Sequence, residues 1–88
     1  MDILNKNFES AVENVNNLKK KPTNEELLVL YGLFKQSKVG NNNTNKPNFL
    51  NFKESKKWEA WNKNNGKDQG LAKQEYINIA NDICNKYN

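Results

Sequence analysis

Apolar residues recur at three- and four-residue steps in four separate segments, and this helical period limits the possible folds more than any other feature. In the first segment, Phe8, Ala11, Val12, Val15 and Leu18 form one stripe, as expected for one face of an amphipathic helix. No segment shows the alternation of apolar and polar residues that marks a strand. The pattern predicts an all-α bundle of four helices.

Breaking and capping residues predict the limits of the first two helices. Residues 19–22, Lys-Lys-Lys-Pro, should end the first helix, because the residue before a proline avoids α geometry. Thr23 or Asn24 can cap the second helix, whose acidic first turn, Glu25-Glu26, suits the positive end of the helix dipole. Gly40 is the expected stop of that helix.

The second half of the chain predicts a loop and two more helices. A polar loop should cover residues 40–51, and the third helix residues 51–65, with Trp58 and Trp61 both in the core. Apolar positions over residues 71–87 predict the fourth helix. Neighbouring helices should be antiparallel except across the longer loop. We attribute the frequent asparagines to a compositional bias that the surface tolerates.

The composition excludes several classes of protein. With 35% hydrophobic residues, the 88-residue chain can build one small core, so residues 1–88 should form a single domain. The net charge of +4 favours an anionic ligand or surface but falls short of a nucleic-acid arm. The chain has no histidine and one cysteine, Cys84, which excludes a Cys-His dyad, an internal disulfide and the usual zinc site. We find neither a signal peptide nor a membrane span, and expect a cytoplasmic protein.

Two segments place lysines beside aromatic rings at helical spacing. Tyr31 and Lys35 share one face of the second helix, and Lys53, Lys56 and Lys57 form a second basic group beside Trp58 on the third. This surface suits a ligand that carries both phosphates and a flat ring. A core aromatic followed by a solvated lysine is the commoner origin of such a pair, so the residues alone leave both interpretations open.

Read as a whole, the chain resembles the acyl-CoA-binding protein family over nearly its entire length, and it is identified as a member by motifs in matching order. These are FESAV (8–12), LKKKPTNEELL (18–28), YGLFKQSKVG (31–40), FKESKKWEAWN (52–62) and YI (76–77). The resemblance implies an up-down-down-up four-helix bundle. It also implies a lipid-binding function, in which the protein binds long-chain fatty acyl-CoA esters, transports them and breaks no bond.

The resemblance assigns the nucleotide end of the ligand to five residues. Tyr31, Lys35 and Lys57 would hold the 3′-phosphate of CoA, where charge-assisted hydrogen bonds are strong. Phe34 would lie against the adenine ring, and Tyr76 would complete this side from the fourth helix. Many relatives have a second tyrosine where this chain has Phe34, so one hydroxyl hydrogen bond is lost, which typically costs about 1 kcal/mol.

The remaining implied roles concern the acyl chain and the partners. Leu28, with Ala11 and Val12 of the first helix, would line the groove for the acyl chain. The ligand is acyl-CoA, no cofactor or metal is expected, and the protein would act as a monomer. It would deliver the ester to acyl-CoA-using enzymes and make transient contact with membranes, and no nucleic acid would be a partner.

Two other functions remain as alternatives. A helical bundle with a basic, aromatic face could dock an acidic helix or an anionic membrane surface as an interaction module. The net charge and the interleaving of lysine and tryptophan also suit a small nucleic-acid binder. An enzyme is the weakest candidate, since no activated nucleophile, metal cluster or glycine-rich phosphate loop is present.

Overall fold

The computed structural model describes residues 2–87, apart from the side chain of Asp2, and this part of the chain contains four α-helices and no strand. The helices are α1 (Asp2–Asn16), α2 (Asn24–Lys38), α3 (Phe52–Asn62) and α4 (Gln69–Tyr87). The predicted all-α class is confirmed. No helix within residues 2–87 combines the length and the apolar character needed to cross a bilayer.

Contacts between the helices establish the predicted up-down-down-up topology. Residue numbers rise together along two parallel pairs, α1 with α4 and α2 with α3, and run oppositely along the antiparallel pair α2 with α4. The contacts that fix these directions are Asn5–Lys73, Phe8–Tyr76, Tyr31–Lys57, Lys35–Trp61, Glu26–Lys86 and Ser37–Gln69. The helices therefore lie in the spatial order α1, α4, α2, α3.

The hydrophobic core lies where α1, α4 and α2 meet. Its fully buried members come from these three helices and are Phe8, Ala11, Leu30, Leu33, Ala72, Tyr76, Ala80 and Ile83. They recur at three- and four-residue steps, so the period that predicted the helices also selects the core. From α3, Trp61 is also buried, and its indole N–H donates to the carbonyl oxygen of Gly40. The prediction that Trp58 lies in the core is wrong, because this side chain is only half-buried and its indole N–H donates to the carbonyl oxygen of Thr44 in the loop.

The start of α2 agrees with the sequence in detail. Thr23 is the cap, since its hydroxyl oxygen accepts from the backbone N–H of Glu26 and its own N–H donates to the Glu26 carboxylate. This reciprocal pair satisfies two of the free N–H groups of the first turn. The end of α2 also agrees, because Gly40 follows the C-cap residue Val39 with a φ of 95° that suits glycine.

Two predicted helix ends are wrong. The first helix stops at Asn16 rather than at residues 19–22, because the N–H of Leu18 turns back to the carbonyl of Val15 in a tighter three-residue turn. Leu18 still packs against the core from outside the helix. The third helix stops at Asn62 rather than Asn65, because residues 61–67, which include Gly66, form successive turns of the same tight kind.

The asparagines near the loop are structural, which corrects their interpretation as compositional bias. Asn42 is buried, and its N–H donates to the side-chain oxygen of Asn65 over 2.7 Å. The side-chain oxygen of Asn41 accepts from the N–H of Gly66 over 2.7 Å and from the buried amide of Gln36 over 3.0 Å. These bonds tie the α2–α3 loop to the α3–α4 turn and thereby fix both ends of α3.

A carboxylate cluster joins the end of α4 to the start of α2. The Glu26 carboxylate accepts from the Tyr87 hydroxyl over 2.6 Å and from the Lys86 ammonium over 2.9 Å, as well as from the N–H of Thr23. These donors, with Tyr87 the largest influence, lower the pKa of Glu26 to about 2. The same cluster raises the pKa of Tyr87 and of Lys86, because each donates to the carboxylate.

This cluster predicts a loss of stability in acid. Because the pKa of Glu26 is lower in the folded protein than its ordinary 4.5, its stabilisation is complete above about pH 4.5 and disappears as the pH falls toward 2. We expect Glu26→Gln to lower the melting temperature at neutral pH. The difference in melting temperature between the variant and the unmodified protein should shrink as the pH falls from about 4.5 toward 2. Thermal unfolding followed by circular dichroism at several pH values measures this.

The matched control for this prediction is Glu25→Gln. Glu25 shares the first turn of α2 but forms no hydrogen bond or ion pair with side chains of the described residues. Its substitution should shift the melting temperature far less at neutral pH. A gap for Glu26→Gln that stays constant from neutral pH to pH 2 would contradict the role assigned to the ionised carboxylate.

Candidate functional site

A cleft of about 970 Å³ opens between α2 and α3. It is lined on one side by the first half of α2 and the segment just before it, and on the other side by the first turns of α3. The lining residues are Lys21, Asn24, Glu25, Leu27, Leu28, Tyr31, Phe52, Lys53, Lys56 and Lys57. Of the eight predicted site residues, the structure brings Leu28, Tyr31 and Lys57 together here.

Helical geometry explains why these positions meet. Leu27 and Leu28 lie four and three residues before Tyr31, and each therefore shares a face of α2 with it. Lys53 and Lys57 do the same on α3. Since α2 and α3 run parallel, the two faces oppose each other along the cleft. The helices can approach closely at Gly32, where a Cβ atom would overlap the backbone of Ala60.

Cations lie on the aromatic rings of the site. The ammonium of Lys57 is 4.9 Å from the centre of the Tyr31 ring, and that of Lys35 is 4.7 Å from the centre of the Trp61 ring. Such contacts are worth about 0.5–1 kcal/mol at exposed positions. Lys57 also has the Glu54 carboxylate at 3.9 Å, with both side chains partly exposed. The attraction in such an exposed ion pair is weak. Since the cation–π contacts are weak as well, the ammonium groups of Lys35 and Lys57 can both move to a stronger anionic ligand.

The cleft combines a positive charge with an apolar wall. Four lysines line it against a single glutamate, which gives its lining a net charge of +3. Leu27, Leu28 and Phe52 supply apolar surface within the same cleft, and Phe52 has 69% of its surface exposed. This arrangement can hold a molecule that is anionic at one end and apolar at the other.

The other five predicted site residues do not line this cleft. Phe34 and Tyr76 belong to an aromatic group with Phe8, in which the Phe8 ring stacks at 6.0 Å from Phe34 and meets Tyr76 edge-on at 5.1 Å. Burial raises the pKa of Tyr76 to about 12, so its hydroxyl is a neutral donor at pH 7. Phe34 stays half-buried and lies one turn from Tyr31, so the aromatic group adjoins the cleft along α2.

Lys35 and the α1 residues occupy separate places. Lys35 lies over Trp61, one turn beyond Tyr31 on α2. Ala11 is a core residue with 3% of its surface exposed, and Val12 is half-buried against that core. Ala11 therefore has almost no surface to offer a ligand in this conformation, whereas Val12 has some.

Helical spacing would have placed two further residues, Phe52 and Asn24, beside the predicted basic group and Leu28. Phe52 precedes Lys56 by four residues, as Lys53 precedes Lys57, so all four occupy neighbouring positions on α3. Asn24 and Leu28 are related in the same way on α2. Within the described residues no group of three or more histidine, cysteine, aspartate or glutamate side chains could hold a metal ion.

The fold and the cleft together define a small all-α domain with a cationic, partly apolar binding site, and comparison with known proteins gives its family. The family model of acyl CoA binding protein matches residues 5–80. An acyl-CoA-binding protein homolog of Drosophila melanogaster is 46% identical over 85 residues, which are 97% of this chain and 99% of that protein. The chain belongs to the acyl-CoA-binding protein family.

Solved structures of relatives share the fold. The crystal structure of Oryza sativa acyl-CoA-binding protein 2 superposes with a TM-score of 0.90 at 35% identity, over 94% of this chain and 90% of that one. The solution structure of acyl coenzyme A binding protein from yeast superposes with a TM-score of 0.73 at 45% identity, over 91% and 93%. The resemblance inferred from the sequence motifs is thereby confirmed.

Proposed function

We propose that the protein binds long-chain fatty acyl-CoA esters in the α2–α3 cleft and acts as their carrier and buffer. The observation that carries this proposal is the combination of four lysines, one phenol and an apolar wall in a single cleft of about 970 Å³. An acyl-CoA has phosphates at one end and a hydrocarbon chain at the other, so it matches both parts. Family membership supports the same function.

The phosphate end of the ligand is assigned to Tyr31, Lys35 and Lys57. Two ammonium groups and a phenol around the 3′-phosphate of CoA would form charge-assisted hydrogen bonds, which are roughly twice as strong as neutral ones. Lys57 already lies beside Tyr31. Lys35 would exchange its contact with the Trp61 ring for the phosphate.

The adenine ring is assigned to Phe34 and Tyr76. The exposed part of the half-buried Phe34 ring would lie against the purine, and stacking of this kind contributes about 1–3 kcal/mol. Tyr76, which is neutral at pH 7, would border the nucleotide from α4. Both rings pack on Phe8. Because Tyr76 is only 4% exposed, the surface offered to the base would come mainly from Phe34.

The acyl chain is assigned to the apolar wall around Leu28. Each methylene group removed from water contributes about 0.8 kcal/mol, so long chains should bind more tightly than short ones. Leu27 and Phe52 extend the wall within the cleft. From α1 the contribution would come mainly from Val12, because Ala11 is almost fully buried.

We further propose that the protein catalyses no reaction and works as a cytoplasmic monomer. Its role would be to keep the ester in solution and to deliver it to acyl-CoA-using enzymes. The residues that line the cleft are lysines, an asparagine, a glutamate, a tyrosine and apolar side chains. These groups suit binding rather than the activation of a nucleophile.

Isothermal titration calorimetry with palmitoyl-CoA tests the proposed function, with free CoA and palmitate as controls. We expect one ester per monomer, bound far more tightly than either fragment, because only the ester engages both parts of the cleft. Absence of binding, or binding no tighter than that of palmitate alone, would refute the proposal.

The phosphate assignment predicts the effect of two lysine variants. Lys35→Ala and Lys57→Ala should each weaken palmitoyl-CoA binding by about 1 kcal/mol or more, which is roughly a fivefold or larger increase in Kd. Lys38→Ala is the control, since Lys38 is exposed on the last turn of α2 and, within the described residues, neither lines the cleft nor lies over an aromatic ring as Lys35 does. Unchanged affinity in both Lys35→Ala and Lys57→Ala would rule out the phosphate site.

A further inference from the structure

The loop before α3 ends in a tight turn with two large apolar side chains at its tip. The N–H of Asn51 donates to the carbonyl of Asn48 over 2.8 Å, which closes the turn around Phe49 and Leu50. The N–H of Leu50 also donates to the Asn48 side chain over 2.9 Å. Phe49 and Leu50 are 79% and 78% exposed, so the turn projects them away from the rest of the protein.

This composition is unusual for a turn. Turn tips are normally built from glycine, proline, asparagine, aspartate and serine, whereas here the two central residues are apolar. Phe52, the first residue of α3, is also largely exposed, so three large apolar side chains lie within four consecutive residues. A contiguous exposed apolar patch indicates a surface that another molecule covers.

The surroundings of the turn are positively charged. Residues 46–57 contain four lysines and one glutamate, a net charge of +3. Lys46 is paired with Glu59 at 3.0 Å, but Lys53 and Lys56 form no ion pair within residues 2–87. The Lys56 ammonium lies 5.2 Å from the centre of the Phe52 ring, so free cations and apolar side chains share one surface.

The same residues border the proposed ligand site. Phe52, Lys53 and Lys56 line the α2–α3 cleft, and the turn precedes Phe52 directly in the chain. We propose that Phe49 and Leu50 dock the protein on an anionic phospholipid bilayer, with the mouth of the cleft close to the lipid surface. This proposal rests on the proposed function in one respect: if the cleft holds the acyl chain, docking would give that chain a route between the bilayer and the cleft.

The shape and charge of the surface favour a bilayer over a protein partner. A projecting turn with two inserted side chains fits a deformable layer of headgroups and acyl chains, and apolar residues flanked by lysines are typical of segments that lie in that interface. Lysines near the surface add attraction to anionic lipids. A docking groove for an acidic helix would instead be concave.

Vesicle binding tests the proposal, with the double variant Phe49→Ser, Leu50→Ser. The protein should sediment with vesicles of phosphatidylcholine and phosphatidylserine, more weakly as salt rises, and much less with phosphatidylcholine alone. The double variant should weaken binding to the anionic vesicles by about tenfold or more, because two apolar side chains no longer leave water. The control Ile3→Ser, Leu71→Ser removes two exposed apolar side chains from α1 and α4 and should bind as the unmodified protein does.

Calorimetry with palmitoyl-CoA on the same three proteins separates the two proposals. Tight ester binding without vesicle binding would overturn the docking surface and leave the carrier function intact. Vesicle binding that is equal in the double variant and its control would also overturn it, and would leave a protein partner as the occupant of the turn. Vesicle binding that depends on the turn, with no affinity for the ester, would support the docking surface and refute the carrier function.

Discussion

Replacing Phe8 by alanine is expected to lower the free energy of unfolding by about 3–5 kcal/mol. The Phe8 side chain is 2% exposed and lies between α4 and α2, where it contacts Tyr76 edge-on and stacks on Phe34. Its removal leaves a cavity that the surrounding rings cannot fill without moving. Since small domains are stable by only about 5–15 kcal/mol, the variant should keep only a small part of the free energy of unfolding.

Urea denaturation followed by far-ultraviolet circular dichroism measures this effect. Phe49→Ala is the matched control, because it removes the same ring from an exposed position and should change the free energy of unfolding by less than about 0.5 kcal/mol. If both variants lost similar stability, Phe8 would not be the centre of the aromatic group, and the assignment of the core would be wrong.

Replacing Leu28 by glutamate is expected to weaken palmitoyl-CoA binding by about 2–3 kcal/mol, roughly 30- to 150-fold in Kd. The substitution removes apolar surface from the cleft wall and places a carboxylate where the hydrocarbon chain would lie. It also opposes the positive charge that Lys53, Lys56 and Lys57 give the cleft. Calorimetric titration of the ester gives the change in affinity directly.

Val29→Glu is the control for this variant. Val29 is the next residue on α2 and does not line the cleft; it lines an adjoining depression of about 400 Å³, which Leu28 also borders. The same charge introduced there should change ester binding little. Thermal unfolding of both variants checks that each remains folded at the temperature of the titration, and equal losses of affinity would refute the placement of the acyl chain beside Leu28.

The fold was predictable from the sequence because each helix carries its own apolar stripe and its own boundary residues. Thr23 and Gly40 act locally, so the limits of α2 could be predicted closely. The ends of α1 and α3 could not, because they depend on tight turns and on asparagine side chains that contact residues far away in the chain. The bond from Asn42 to Asn65 spans 23 positions, and no local pattern reveals it.

The site was predictable only in part. Tyr31 and Lys57 were identified from motifs, and parallel packing of α2 on α3 brings them together. Phe52 was not predicted to line the cleft, because a large aromatic side chain is normally buried and nothing in the local sequence shows that this one is exposed. The ligand contacts assigned to all of these residues stay predictions, and Phe34 and Tyr76 pack on Phe8 rather than line the cleft.

The pairing of α1 with α4 has a consequence for the order of folding. The bond from Lys73 to Asn5 joins positions 68 residues apart, and Phe8 reaches its partner Tyr76 across a similar span. Contacts between such distant positions require a long loop to close first, which slows their formation. During synthesis, α1 would therefore be made before the other helices yet gain most of its tertiary contacts only once α4 has emerged.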